Sequence, residues 1–166
     1  MTSRLTKRPA VSRATVRKDV ELDPVIHFMR LMWEVDHELQ RVSKRMVASV
    51  GLTGPQRLAL LLIGHYPGIS AGELATWLHL DPGTLTGIIA RLELAKLVKR
   101  TRDENDGRRA MLTLTARGRV ANRRRAGTVE GAVRKALDET RPADAEATRR
   151  MLSRLAAALR RALPPE

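Results

Sequence analysis

Residues 69–115 read ISAGELATWLHLDPGTLTGIIARLELAKLVKRTRDENDGRRAMLTLT, and the punctuation inside this stretch decides the fold. Ser70, with Glu73 three residues on, has the spacing of a capping box, in which hydroxyl and carboxylate satisfy free amides at a helix start. A helix therefore begins at about Ser70, with Leu74, Trp77 and Leu78 as its apolar face. The chain turns at His79 and Leu80, and Asp81-Pro82 places an N-cap side chain before a proline in the first turn of a second helix. In that helix Leu85, Ile88, Ile89 and Leu92 recur at helical spacing and can bury one stripe. Opposite the stripe lie Gly83, Gly87 and Ala90, flanked by Thr84, Thr86 and Arg91. A merely solvated face would carry long charged side chains; one this small suits a helix lying deep in a groove.

Helix, short turn and second helix fit either a helical hairpin within a bundle or a helix-turn-helix, whose second helix reads base edges in the DNA major groove. The residues that follow favour the second. Leu97 to Arg102 and Arg109 to Leu114 each read as a strand, with Leu112 and Leu114 alternating against Met111 and Thr113. Between them DENDGRR is a polar, glycine-containing turn. A β-hairpin directly after a recognition helix is a wing, and its tip holds Arg108 and Arg109 where an adjacent minor groove attracts arginine. Asp106 either orients one of these guanidinium groups through a bidentate pair or serves as a plain turn former.

With these pieces in place the chain resembles the MarR family of bacterial transcription regulators. The matching segments are LTGPQRLALL (52–61), the helix-turn-helix, RLELAKLVKR (91–100) and the wing DENDGRRAMLTLTARG (103–118). The wing is the most specific: the family pattern of Asp, any residue, Arg before a strand ending in Leu-Thr is met by Asp106, Arg108, Leu114 and Thr115. The resemblance implies a homodimeric winged helix-turn-helix repressor, often released from double-stranded DNA by a small molecule. The chain departs from the family at two corners, carrying His79 and Lys96 where glycine is usual. If those corners need a left-handed backbone, each non-glycine residue costs on the order of 1 kcal/mol.

Outward from this core, the fold expected is mainly α with a small β-hairpin wing: a winged helix-turn-helix domain plus long N- and C-terminal dimerisation helices. The boundaries expected are a basic N-terminal arm over 1–22, an N-terminal dimerisation helix over 23–50, the DNA-binding domain over 51–116 and C-terminal dimerisation helices over 117–166. Residues 1–18 hold Arg4, Lys7, Arg8, Arg13, Arg17 and Lys18 and no acid. Such an arm is an electrostatic tether to flanking DNA, a solubilising tail, or a short extra helix from VSRATVRK. After Asp23-Pro24, Val25, Phe28, Met32, Val35, Leu39, Val42 and Met46 mark a helix to about Ser49. Ile26, Met29 and Trp33 widen its apolar face beyond what one small neighbour covers, which points to a partner chain. Gly51 ends it, and Pro55 opens a helix to His65, followed by a turn at Pro67-Gly68.

Beyond the wing, Thr115 caps a single helix expected to run through Val120, Val129, Val133 and Leu137. Its outer Arg117, Arg119, Arg123, Arg124 and Arg125 either approach phosphates or form a solvated basic face. A last helix from about Ala143 places Met151, Leu152, Leu155, Leu159 and Leu163 at coiled-coil-like spacing. Two such stripes with no third neighbour are explained by dimerisation, and twofold symmetry then calls for an inverted-repeat operator.

Composition narrows the function classes. With 31 Lys plus Arg against 18 Asp plus Glu, a formal charge of +13 points to a polyanion, nucleic acid before an anionic membrane. No cysteine is present, which excludes disulfides, thiolate metal sites and thiol peroxide switches. The longest apolar run, Leu58 to Gly64, is far short of a membrane span, so no membrane partner and a cytoplasmic location are expected. His27, His37, His65 and His79 form no close pair at ligand spacing, and no metal is expected. Nor is there a phosphate loop, a nucleophile elbow or HExxH, so neither a cofactor nor an enzyme is expected. The resemblance implies an effector crevice between dimerisation helices and winged domain. Arg30, Trp33, His37, His65 and Tyr66 are the polar or aromatic residues available there, suited to an aromatic carboxylate or phenol. Against this, Trp33 reads as core and the histidines as surface. The alternative function is a non-specific architectural DNA-binding protein, for which charge alone suffices.

Overall fold

The computed structural model describes residues 23–102 and 110–162. The chain divides into two compact units, 1–36 and 37–166, and the boundary falls inside the first helix, α1 (Pro24–Val50). In the first unit Asp23 Oδ1 accepts from the amides of Val25 at 2.9 Å and Ile26 at 3.3 Å, the side-chain cap that a helix opening on proline needs. Val25, Ile26, Met29, Trp33 and Val35 are all exposed there, Trp33 to 78%.

The second unit holds the core. α2 (Gly54–His65) opens on a complete capping box: Gln56 donates its amide to Thr53 while its side chain accepts from the Thr53 amide. β1 (Ile69–Ser70) follows, then α3 (Ala71–Leu78), α4 (Pro82–Leu94), β2 (Val98–Arg102) and β3 (Ala110–Leu114). The expected hairpin is present but is the larger part of a three-stranded antiparallel sheet of order β1-β3-β2. Leu112 is the pivot, opposite Ile69 on one side and Arg100 on the other. Two residues between a turn and a helix carry no alternation, so β1 leaves no pattern to read in sequence.

Leu60 and Ile63 of α2, Leu74 of α3, Leu85, Ile89 and Leu92 of α4 and Leu112 of β3 pack into one buried cluster. The stripe read from the recognition helix is therefore its core face. Trp77 departs from expectation: Leu74 and Leu78, one turn apart, point α3 at the core, and Trp77 is carried to the edge, 54% exposed. The corner between α4 and β2 is closed by Thr115, whose hydroxyl donates to Lys96 O at 2.7 Å while accepting from Gly118 N at 2.9 Å. A Cβ on Gly118 would lie 1.9 Å from Leu97 O, so that position requires glycine.

The single helix expected after the wing is two. α5 (Ala116–Arg123) and α6 (Val129–Asp138) are separated where Gly127 takes φ +71° and Thr128 caps α6 through Gly131 N at 3.2 Å. Helical apolar periodicity persists across the break because both pieces are amphipathic. α7 (Pro142–Ala162) completes the described chain. Neither α6 nor α7 contains a buried residue, and Val133, Leu137, Met151, Leu152 and Leu159 stand about half exposed.

Candidate nucleic-acid interface

α3 and α4 meet at a sharp corner. Ser70 and Glu73 form the capping box the spacing predicts: Glu73 N donates to Ser70 Oγ at 3.2 Å, and Ser70 N donates to Glu73 Oε2 at 2.8 Å. α3 stops at His79, which adopts a left-handed φ of 51°, as Lys96 does at 58° after α4. Both non-glycine corners thus take the conformation glycine would have supplied. Between the helices Asp81 caps α4, accepting from Thr84 N at 2.8 Å with Pro82 at the first helical position. Hydrogen bonds from the Thr84 side chain and amide hold the Asp81 carboxyl below its ordinary range. The first turn of α4 is therefore capped by its own side chain.

With about 100° of rotation per residue, Gly83, Thr86, Gly87 and Arg91 fall on the side of α4 away from Leu85, Ile88, Ile89 and Leu92, with Thr84 at the flank and Pro82 at the helix start. All six are exposed. Thr86 donates its hydroxyl to Pro82 O at 2.7 Å, which fixes its rotamer and leaves the oxygen lone pairs and methyl outward. A Cβ on Gly87 would meet nothing within 4 Å, so the glycine is not needed for packing inside the chain. Arg91 has no acidic partner among the described residues. The surface is low, uncharged at its centre and cationic at one end.

The wing attaches to the C-terminal end of this helix. Arg100 Nε on β2 donates to Glu93 Oε2 of α4 at 3.1 Å. Asp106, Arg108 and Arg109, the wing-tip residues singled out in the sequence, lie outside the described residues. Arg117, Arg119, Arg123, Arg124 and Arg125 are exposed; Arg119 Nη1 also donates to Leu114 O at 3.2 Å.

Of the residues considered for an effector, Arg30 and Trp33 lie in the first unit and His37, His65 and Tyr66 in the second. Arg30 pairs with Glu34 at 3.1 Å. His65 and Tyr66 come together edge-on at 4.6 Å, and Tyr66 meets Trp77 at 4.9 Å, an aromatic neighbour missed because Trp77 reads as core. These rings line an open groove of about 470 Å³ that also takes in Ile69 and Glu73. Arg57 is the other residue missed. Nothing in an arginine one turn into an amphipathic helix signals burial, yet it is only 1% exposed.

The family model described as the MarR family matches residues 50–109, spanning α2 to the wing. The chain is 30% identical over 125 residues to the transcriptional repressor Rv2887 of Mycobacterium tuberculosis, a match covering 75% of this chain and 90% of that one. The chain belongs to the MarR family. It is also 36% identical over 113 residues to the transcriptional regulator TtmR of Methylorubrum extorquens, a match covering 68% of this chain and 57% of TtmR. The chain thus spans little more than half the length of that relative. Among solved structures, the crystal structure of MarR superimposes with a TM-score of 0.63 at 27% identity, covering 86% of this chain and 97% of MarR. As a MarR-family protein it is a DNA-binding transcriptional regulator with a winged helix fold. No single helix among the described residues is long and apolar enough to cross a membrane.

Proposed function

We propose that this MarR-family regulator is a homodimeric, sequence-specific repressor that places α4 of each copy in successive major grooves of an inverted-repeat operator. The observation that carries the reading is the exposed face of α4: small side chains on a capped helix start, left uncovered by the described residues. Thr84 and Thr86 offer hydroxyls and methyls to base edges, Arg91 reaches a guanine or a phosphate, and Pro82, Gly83 and Gly87 allow close approach. Arg108 enters the adjacent minor groove with Arg109 beside it and Asp106 orienting it. The second copy is inferred from the half-exposed apolar residues of α1, α6 and α7, too many for a stable lone chain to present to water. Such a regulator works beside the chromosome, in the cytoplasm. Release by a small aromatic acid or phenol belongs to the same proposal, with His65 and Tyr66 as wall residues and Arg30, Trp33 and His37 as the further candidates.

The net charge of +13 favours one competing reading, a sequence-blind DNA coater. Binding to the protein's own upstream region and to a shuffled duplex of equal composition, across a salt series, separates the two. A specific regulator retains a preference of roughly 4–10 kcal/mol for its site, whereas a coater binds both duplexes alike and loses both with salt.

A further inference from the structure

α5 and α6 lie where one continuous helix would have carried the chain out of the winged domain, and a buried guanidinium from α2 spans the break. Arg57, on α2, donates from Nη1 to Ala121 O at 2.8 Å and from Nη2 to Asn122 O at 3.2 Å and Arg124 O at 2.5 Å. Ala121 O also accepts from the Arg124 amide at 3.2 Å, so the guanidinium reinforces the C-terminal end of α5, where a cation is favoured, and holds the carbonyl of the capping residue beyond it. Arg57 Nε donates to Glu130 Oε1 at 2.8 Å, and Nη2 pairs with the same oxygen. Glu130 sits in the first turn of α6, where negative charge is favoured in its turn. One guanidinium therefore grips the end of one helix and the start of the next.

The other contacts across the break are local: Thr128 donates its hydroxyl to Arg125 O at 2.7 Å and accepts from Gly131 N at 3.2 Å, and Arg125 lies 3.8 Å from Glu130. α6 contributes no buried side chain, and a groove of about 720 Å³ lies between it and the C-terminal part of α1, lined by Val42 and Arg45 on one side and Arg134 and Lys135 on the other. We infer that Arg57 and Glu130 are positioning residues that set the separation of the two recognition helices in the dimer, and with it the half-site spacing the protein accepts. The inference rests on the twofold reading above. α6 and α7 carry apolar faces for the second copy, so a change of angle at the break displaces the partner's α4 as a rigid body. One inserted base pair moves a half-site by about 3.4 Å and about a tenth of a turn, a shift that only a loosened break would absorb.

Because the chain has no cysteine, a nitroxide placed at Leu94→Cys, on α4 and 85% exposed, reports the distance between the two recognition helices by pulsed electron resonance. Glu130→Gln, which keeps the shape but not the charge, and Arg57→Lys, which keeps the charge but not the fork, are compared with the parent. The expected result is a narrow distance distribution in the parent and a broadened or shifted one in both variants. On duplexes selected by the parent from a random-sequence pool, then rebuilt with one base pair added or removed between half-sites, the variants lose the parent's spacing preference. Their affinity for an isolated half-site stays at the parent's value. Folded variants with unchanged distances and spacing preference overturn the inference, as does equal loss on every duplex, which would make the pair a stabiliser of the reading domain alone. A parent that gives no distance between copies removes the twofold reading itself, a failure visible before any variant is made.

Discussion

Glu93 in the last turn of α4 accepts a hydrogen bond from Arg100 Nε of β2 at 3.1 Å, so the helix proposed to read bases and the strand that leads to the wing are joined by one ion pair. Both side chains are more than a quarter exposed, and such pairs are worth at most about 1 kcal/mol of stability. Their effect should appear in geometry instead. Glu93→Ala should leave the melting temperature nearly unchanged while weakening operator binding, as measured by titration of a labelled duplex. An equal fall in stability and binding would show that the pair holds the fold and not the wing.

His79 and Lys96 occupy left-handed backbone at φ 51° and 58°. Replacing either with glycine removes a strain of order 1 kcal/mol, partly offset by the extra freedom glycine has in the unfolded chain. Each substitution should therefore stabilise by a few tenths to about 1 kcal/mol. Chemical denaturation measures this directly; a loss of stability at both positions would mean that their side chains make contacts that outweigh the strain.

Gly118 has the opposite sensitivity. A methyl group there would lie 1.9 Å from the Leu97 carbonyl oxygen, a backbone atom that the Thr115 hydroxyl also engages. Gly118→Ala should cost about 3 kcal/mol, at the upper end of overpacking penalties. A change under half that in urea melts would show that the α4–β2 corner yields.

Burial pushes the Glu130 carboxyl up, but the hydrogen bonds from Arg57 and Thr128 and the charge of Arg57 outweigh it and hold the group below its ordinary value of 4.5. A depressed folded-state pKa contributes stability that is present above the unfolded value and lost as pH falls through the folded one. The stability difference between the parent and Glu130→Gln should accordingly be constant near neutrality and shrink below about pH 4.5. A difference that instead grew on acidification would reverse the assigned sign.

For the wing, Arg108→Ala should weaken operator binding by about 1–3 kcal/mol, and Asp106→Ala should do the same more weakly. An unchanged affinity for Arg108→Ala removes the wing from the interface.

Much of the winged domain was legible because local chemistry and burial agree there. Ser70 with Glu73, Asp81 with Pro82, and the Leu85, Ile88, Ile89, Leu92 stripe all state in sequence what the structure builds. Three features were not legible, for one shared reason: each depends on partners distant in the chain. β1 exists only because Leu112 passes beside Ile69. Trp77, turned off the core face of α3, meets the ring of Tyr66. The α5–α6 break is spanned by Arg57, some 64 residues away from the carbonyl of Ala121. The faces of α1, α6 and α7 read correctly as apolar, while what covers them belongs to a second chain by proposal alone.

The central claim, that α4 reads bases from the major groove, is tested most directly by chemical interference on a duplex the protein selects. Replacing thymine by uracil or guanine by 7-deazaguanine alters only the major-groove edge. Binding should fail in two patches about 10 base pairs apart centre to centre, the signature of two recognition helices on one face of DNA. Uniform tolerance of these replacements, with binding lost only on neutralising phosphates or raising salt, would contradict the account and leave a protein held by its charge.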